Sequence, residues 1–323
     1  MRSSSVRALT GVLLVASLAP AKGGAKKAER SDFGQIVASG YVQVQWIDDF
    51  RSGAYPTYTF ELRRLRLRFQ YVPSDIGACV ELACDGLEPT VEDAYIQYQV
   101  MTELRFVAGL HKMPFSREEL TSGSKLLMIE HALTTDTFGD YGYLGHDIGL
   151  AVEGDLLRQR LGYAVGVYNG NGGRLSRDRN NAKQFCERLT YQATKGLSLG
   201  VSGTQRNDSL TGTPVSAYGV DGEWKKSRWT VEGEVLAGTA SPGTRMAGAW
   251  LAGTCRLGRV EMGVRLERLY PDLSETGESE TQATLAGTWY PHRRVQIKAN
   301  VVTDVTSNRS LEPEMILQGQ VSF

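Results

Sequence analysis

The residues able to do chemistry are few and unevenly placed. Four histidines (His111, His131, His146, His292) and four cysteines (Cys79, Cys84, Cys186, Cys255) form no pair at zinc-ligand spacing, so no metal site and no cofactor are expected. Cys79 and Cys84 would sit on opposite faces of one strand, and no disulfide is expected between them. Ser122, Ser124, His131, Asp136 and His146 supply the residue types of a hydrolytic triad. No nucleophile elbow accompanies them and nothing fixes their geometry, so no enzyme activity is expected. Gly170-Asn171-Gly172-Gly173 lacks the strand-to-helix unit of a phosphate loop. What remains is the run Arg63-Arg64-Leu65-Arg66-Leu67-Arg68. Guanidinium groups are planar bidentate donors, suited to holding small anions without making or breaking a bond.

Those arginines need a strand to position them. Leu65, Leu67, Phe69 and Tyr71 alternate with Arg64, Arg66 and Arg68, so the two sets face opposite sides. Upstream, Tyr58, Phe60 and Leu62 are apolar on the other phase. The phase must slip at Arg63-Arg64, which predicts a β-bulge. Arg63 then either reaches the inner face beside Arg64 or snorkels at an interface. Asp93, Tyr95, Gln97 and Gln99 alternate in the same way with Ala94, Ile96, Tyr98 and Val100. At the C-terminus, Met315, Leu317, Gly319, Val321 and Phe323 oppose Ile316, Gln318, Gln320 and Ser322, Ile316 being the one apolar exception. Apolar-out, polar-in alternation ending on an aromatic is the expected closing strand of an outer-membrane barrel.

Similar segments start at Gln35, Pro56, Ile76, Val91, Glu103, Gly145, Arg158, Lys183, Gly196, Val215, Arg228, Thr244, Gly258, Ser279, His292 and Glu312. The reading is all-β, a transmembrane antiparallel β-barrel of 16 strands, with 14 or 18 as alternatives. Even-to-odd connections are short and odd-to-even ones mostly longer, as expected for short periplasmic turns and long outer loops. The longest, residues 112–144, follows the fifth strand and is the third outer loop. A lipid-facing Arg costs roughly 2–4 kcal/mol near mid-membrane, so Arg158, Arg160, Arg188, Arg265, Arg294 and Lys298 are placed on the inner face with Asp147, Glu153, Glu234 and Glu267. The lumen is thus mixed in sign. Trp46, Tyr55, Tyr58, Tyr71, Tyr168, Trp224, Trp229, Trp289, Tyr290 and Phe323 are placed in interfacial girdles.

Composition agrees. The 323 residues hold 36 Lys plus Arg and 36 Asp plus Glu, a net charge of zero, which argues against nucleic acid as a partner. Gly is 36, Pro 10 and Tyr 14, and mean hydropathy is -0.27, a profile of many short strands. Arg2 and Arg7 precede an apolar run from Ala8 to Leu18 and then Ala19-Pro20-Ala21. Residues 1–21 therefore read as a signal peptide, ending at Ala21 or Ala25. Residues 22–34 read as a flexible tether and 35–323 as the barrel.

Four segments carry a family resemblance: Phe60 to Leu67, Val91-Glu92-Asp93-Ala94-Tyr95-Ile96, Val107 to Ser122 with its Lys112-Met113-Pro114-Phe115-Ser116 core, and Met128-Ile129-Glu130-His131. In this order they resemble the phosphate-selective porins O and P, most strongly over residues 36–155. The resemblance implies a homotrimer of 16-stranded barrels in the bacterial outer membrane. It implies a third outer loop folded into each pore as a constriction. It also implies that a permeating anion meets Arg63, Arg64, Asp93 and Lys112, with Arg66 on the same strand and Lys125 in the loop. Asp93 would orient Arg64 or Lys112 and weaken anion binding enough for release, or else anchor the loop. The chain departs from the family at His131, where an Arg is common, and in its short later outer loops. The expected function is a water-filled channel for passive diffusion of small hydrophilic solutes, anion-preferring for phosphate or similar ions. A non-selective porin and a plugged structural or adhesive barrel are the alternatives, with a secreted soluble β-protein as a third.

Overall fold

A computed structural model describes residues 35–50, 58–72, 75–170, 181–208, 211–275, 279–305 and 313–323. The expected signal peptide and tether, Tyr55, and residues 171–173 of the loop tip lie outside the described residues.

Sixteen antiparallel strands close into one ring in chain order. They are β1 (Gln35–Asp49), β2 (Tyr58–Val72), β3 (Ile76–Asp85), β4 (Glu88–Met101), β5 (Leu104–Lys112), β6 (His146–Leu156), β7 (Leu161–Tyr168) and β8 (Gln184–Thr194). The ring continues with β9 (Leu197–Asn207), β10 (Pro214–Lys226), β11 (Trp229–Ser241), β12 (Thr244–Leu257), β13 (Val260–Tyr270), β14 (Glu280–His292), β15 (Val295–Asp304) and β16 (Glu314–Ser322). Each expected start falls within three residues of the observed one. No helix among the described residues is long and apolar enough to cross a membrane; crossing falls to the strands, whose backbone groups are paired around the ring.

The seam shows how the sequence closes the ring. β1 pairs with β16 from Tyr41↔Ser322 to Asp49↔Glu314, and Gly40 and the terminal Phe323 exchange backbone hydrogen bonds of 3.0 Å. Gln43 and Gln45 lie opposite Gln320 and Gln318. Their buried amides bond across the seam, Gln43 Nε2 donating to Gln320 Oε1 at 2.8 Å and Gln318 Nε2 to Gln45 Oε1 at 3.1 Å. Cross-strand polar pairs of this kind pin register. Outside, Ile96, Leu150, Leu251, Leu266 and Leu285 are each more than half exposed, the lipid side of the same alternation.

The predicted bulge is present. Gln43 pairs with Arg64 and Val44 with Leu62, leaving Arg63 as the extra residue. A second bulge was not expected: Glu81 pairs with Asp93 and Leu82 with Val91, leaving Glu92 extra. All even-to-odd turns are short, between two and four residues. The odd-to-even links include two that are equally short, Gly86-Leu87 and Pro242-Gly243. Three expected inner cations are corrected: Arg158, Arg160 and Arg294 are exposed in turns at that short end rather than in the wall. Tyr168 is also corrected. It is buried, with its ring 5.2 Å from that of His111, and takes no part in a girdle.

The link from β5 to β6 carries two short helices, α1 (Arg117–Leu120) and α2 (Leu133–Asp140). Its backbone is tied to inward side chains around much of the ring. Gln43 Nε2 donates to the Gly123 carbonyl at 3.1 Å, Lys298 Nζ to that of Leu126 at 2.6 Å, and the Ile129 amide donates to Asn300 Oδ1 at 3.0 Å. Tyr143 donates its hydroxyl to the Thr239 carbonyl at 2.6 Å. Phe115, Phe138, Tyr143 and Leu144 form a buried cluster with Val215, Ala217, Leu236, Ala240 and Met246 of β10, β11 and β12. Met128 and Ala132 form another with Trp250 and Ala252. Gly248 makes room for α2, since a Cβ there would overlap Thr134.

Candidate functional site

The segment Phe115 to Glu119 acts as an anchor. Ser116 caps α1, its Oγ accepting from the Glu119 amide at 3.3 Å and donating to Glu234 Oε2 at 2.8 Å. The Arg117 amide donates to Glu234 Oε1 at 2.7 Å and its guanidinium lies 2.8 Å from Glu223. Glu118 accepts from the Ala132 amide at 2.8 Å and the Thr135 hydroxyl at 2.6 Å. Its other oxygen is 3.3 Å from Arg265. Glu267 accepts from the Leu133 amide at 2.5 Å. Two carboxylates therefore satisfy the orphan amides at the start of α2, where the helix offers donors and partial positive charge.

The anchored segment leaves the β2–β7 side of the lumen open. There an open cavity of about 970 Å³ is lined by Arg63, Arg64, Arg66, Arg68, Asp93 and Lys112 among others. The bulge at Arg63 turns both Arg63 and Arg64 towards Glu130 of the β5–β6 link. Arg63 donates from Nε at 2.8 Å and from Nη2 at 2.6 Å, and Arg64 from Nη2 at 3.3 Å. Burial opposes the charge of Glu130. The hydrogen bond from Arg63 and the nearby charge of Arg64 outweigh it and hold the carboxyl below its usual range. His131 behaves in the opposite sense. Burial disfavours its cation, but Asp136, with Glu118 and Glu119 nearby, raises it above the usual imidazole range.

Further along β2, carboxylates predominate. Arg66 lies 2.5 Å from Asp85, 3.1 Å from Glu92 and 3.8 Å from Glu81. Arg68 reaches Glu81 and Asp93, both at 2.9 Å, and the Tyr95 hydroxyl at 3.1 Å. Because Glu92 is bulged, it and Asp93 both turn inward, and His146 spans them at 3.2 and 3.5 Å.

Five of the six expected site residues, Arg63, Arg64, Arg66, Asp93 and Lys112, line this cavity. Their pairings differ from expectation. Asp93 meets Arg68 and His146 rather than Arg64 or Lys112, because the second bulge shifts β4 by one residue against β3. Lys112 turns to Glu119, 3.3 Å from its carboxylate and also bonded to its carbonyl. Lys125 is exposed and does not line the cavity. Sequence reasoning missed Glu130, Glu92 and His146 as partners. Glu130 sits in the conspicuous Met128-Ile129-Glu130-His131 segment, and only the even count of residues between outward Val91 and Ala94 on β4 could have signalled Glu92.

Residues 74–220 match the family model described as phosphate-selective porin O and P. That stretch includes Asp93, Lys112 and Lys125 but begins after Arg63, Arg64 and Arg66. No curated protein sequence matches the chain. Among solved structures, the outer membrane channel DcaP of Acinetobacter baumannii is similar with a TM-score of 0.67 at 12% identity, over 91% of this chain and 99% of that one. OmpF of Salmonella typhi, in complex with daunomycin, is similar with a TM-score of 0.68 at 8% identity, over 90% and 98%. The in-vitro folded OmpT of Vibrio cholerae in its trimer form is similar with a TM-score of 0.64 at 10% identity, over 90% and 100%. At these identities the likeness is one of fold. The family match over residues 74–220 and the closed 16-stranded ring together describe a porin-like barrel of the bacterial outer membrane, similar over that stretch to the phosphate-selective porins O and P.

Proposed function

We propose that the protein is a diffusion channel for small hydrophilic solutes, that the β5–β6 segment constricts it, and that solutes pass along the β2–β7 side. The observation that carries this reading is the open, charge-lined cavity left on that side once the other side is packed. We further read Arg63 and Arg64 as the place where a small anion such as phosphate dwells. They are two guanidiniums bonded to one carboxylate, Glu130, and Arg63 is 29% exposed, so positive charge lies within reach of water there. A neighbouring carboxylate keeps such a site weak enough to release its ion, which conduction requires. A non-selective pore is the second reading. It is favoured by the full lining of the cavity, where nine carboxylates face six Arg and Lys side chains. A homotrimer is proposed on the family resemblance and on OmpT, described in a trimer form.

The test is the reversal potential of the purified protein in a planar bilayer under a KCl gradient, followed by phosphate titration of the current. Anion-selective reversal with phosphate block, both weakened by Arg64→Glu and Lys112→Glu, is the expected result. Near-zero reversal without block sinks the anion site and keeps the channel. A folded barrel without conductance sinks the channel itself and favours the plugged barrel.

A further inference from the structure

A second cavity, of about 730 Å³, lies below the first on the same side of the lumen. It reaches Asp75, Met101 and Thr102, at the short-turn end of the ring, whereas the first reaches Asp136, Asp140 and Gly145 at the other. Five residues line both: Arg105, His111, Lys112, Leu120 and Glu153. They mark the neck where one volume passes into the other, beyond the arginine run.

The neck is built mostly from the wall, with Leu120 of α1 and the half-buried Lys112, paired with Glu119, beside it. Arg105 of β5 and Glu153 of β6 are register partners. The guanidinium bonds Glu153 Oε1 from Nε at 3.2 Å and lies 3.1 Å from it through Nη2. Water reaches both side chains, which are 37% and 29% exposed. Beside them His111 is only 8% exposed. Its ring stands edge-on between Tyr95 and Tyr168, with centroids at 6.0 and 5.2 Å. Its Nδ1 faces the Lys112 carbonyl at 3.1 Å, so Nδ1 carries the proton. Nε2 is then left as a buried acceptor with no partner among the described residues. The exposed Arg105–Glu153 pair, where the two cavities meet, is placed to act on a passing solute.

We propose that Arg105 and Glu153 are the specificity-determining pair of this neck, and that their balance sets the ion preference of the passage independently of Arg63 and Arg64. Each charge offsets the other for a small ion moving past. Neutralising one leaves its partner uncompensated where the two cavities meet, so the two single variants must shift selectivity in opposite directions. A salt bridge serving only to hold β5 against β6 would not do so. The proposal rests on the channel reading.

The experiment compares bilayer reversal potentials under a KCl gradient for Glu153→Gln, Arg105→Gln, the double variant, and the conservative Glu153→Asp and Arg105→Lys. Each is first shown to be a folded barrel by heat-modifiable migration. Glu153→Gln is expected to raise the chloride-to-potassium permeability ratio and Arg105→Gln to lower it, each by about two-fold or more. The double and conservative variants are expected to stay near the parent value. Unchanged ratios, or shifts in one common direction, overturn the neck while leaving the channel standing. A parent barrel that folds without conducting overturns both.

Discussion

The β2–β7 wall and the β10–β15 wall share one inside–outside alternation but turn different chemistry inward. On the first, Arg64, Arg66, Arg68, Asp93 and Glu153 face the lumen, Arg64 paired with Glu130, Arg66 with Asp85 and Glu92, Arg68 with Asp93, and Glu153 with Arg105. On the second, Ala217, Leu236, Met246, Trp250 and Ala252 face it and are buried under the β5–β6 segment. Polar residues on that second wall, such as Glu234, Glu267, Lys298 and Asn300, spend their hydrogen bonds on the segment's backbone. In a water-filled barrel an inward apolar side chain has nothing to gain unless something dry covers it. The inward face of a strand therefore records whether the lumen there is filled by protein or by water. One side is a folded core, and the other is a hydrated strip of charges.

The contrast breaks most severely at Arg265. It lies 3.3 Å from Glu118 and 3.0 Å from Glu267, and it donates to the carbonyls of Glu130 and His131 at 2.9 and 3.0 Å. Arg265→Ala leaves two buried carboxylates with no cation, a loss of about 3–5 kcal/mol for a buried pair broken on one side. The strand pairing does not depend on it. The expected outcome is a barrel that still migrates as heat-modifiable but whose segment 113–145 is readily cut by protease, with larger and noisier single-channel conductance. Parental conductance together with parental protease resistance would show that the packed side is not held as described.

A smaller effect is expected where the two sides meet, at Glu130. Glu130→Gln preserves the side-chain shape and removes the carboxylate that bonds both Arg63 and Arg64. Anion-over-cation permeability should rise, by about two- to five-fold for one unit charge near the path. Acid should mimic it. A carboxyl held below its usual value in the fold stabilises the segment fully above the ordinary carboxylate range, and this is lost as pH falls through the lowered value. His131, raised in the fold, contributes fully below the ordinary imidazole range, and its share is lost as pH rises through the raised value. The tie is therefore strongest between those limits. Reversal potentials taken from about pH 3 to 8 should turn more anion-selective at the acid end in the parent and stay flat there in Glu130→Gln. A parallel rise in both would assign the acid effect to other carboxylates.

Much of this contrast is legible in the sequence. Period-two alternation located all sixteen strands, because a one-residue slip would turn every charge on a strand to lipid. The bulge at Arg63 was readable because both flanking runs are apolar and out of phase. The one at Glu92 left a weaker signal, two residues between outward Val91 and Ala94, with no apolar run before Val91 to fix a phase. Pairings were beyond reach for a different reason. Which carboxylate meets Arg68 depends on cross-strand register, and which meets Arg63 depends on a segment 67 positions away. The packed side was overlooked although its signal was present: Leu236, Met246 and Trp250 sit at positions where a hydrated wall should be polar. Arg158 and Arg160 were misplaced because alternation was carried through a turn, where Leu157, Arg158 and Gln159 all adopt positive φ and the period of two no longer holds.

Lys125 sharpens the boundary between the two sides because it should do almost nothing. It is exposed and follows a short turn in which its amide donates to the Ser122 carbonyl at 2.8 Å. The neighbouring residues Gly123, Ser124 and Leu126 are fastened by Gln43, Gln320 and Lys298 through their carbonyls. That backbone can hold without the Lys125 side chain. A solvated cation outside the cavity acts on passing ions only across water, and at physiological ionic strength its field fades over about 8 Å. Lys125→Gln should therefore leave reversal potential, phosphate block and protease resistance at parental values, where Arg64→Glu changes the first two. A selectivity change as large as that of Arg64→Glu would mean that the path swings over the β5–β6 segment instead of keeping to the β2–β7 wall.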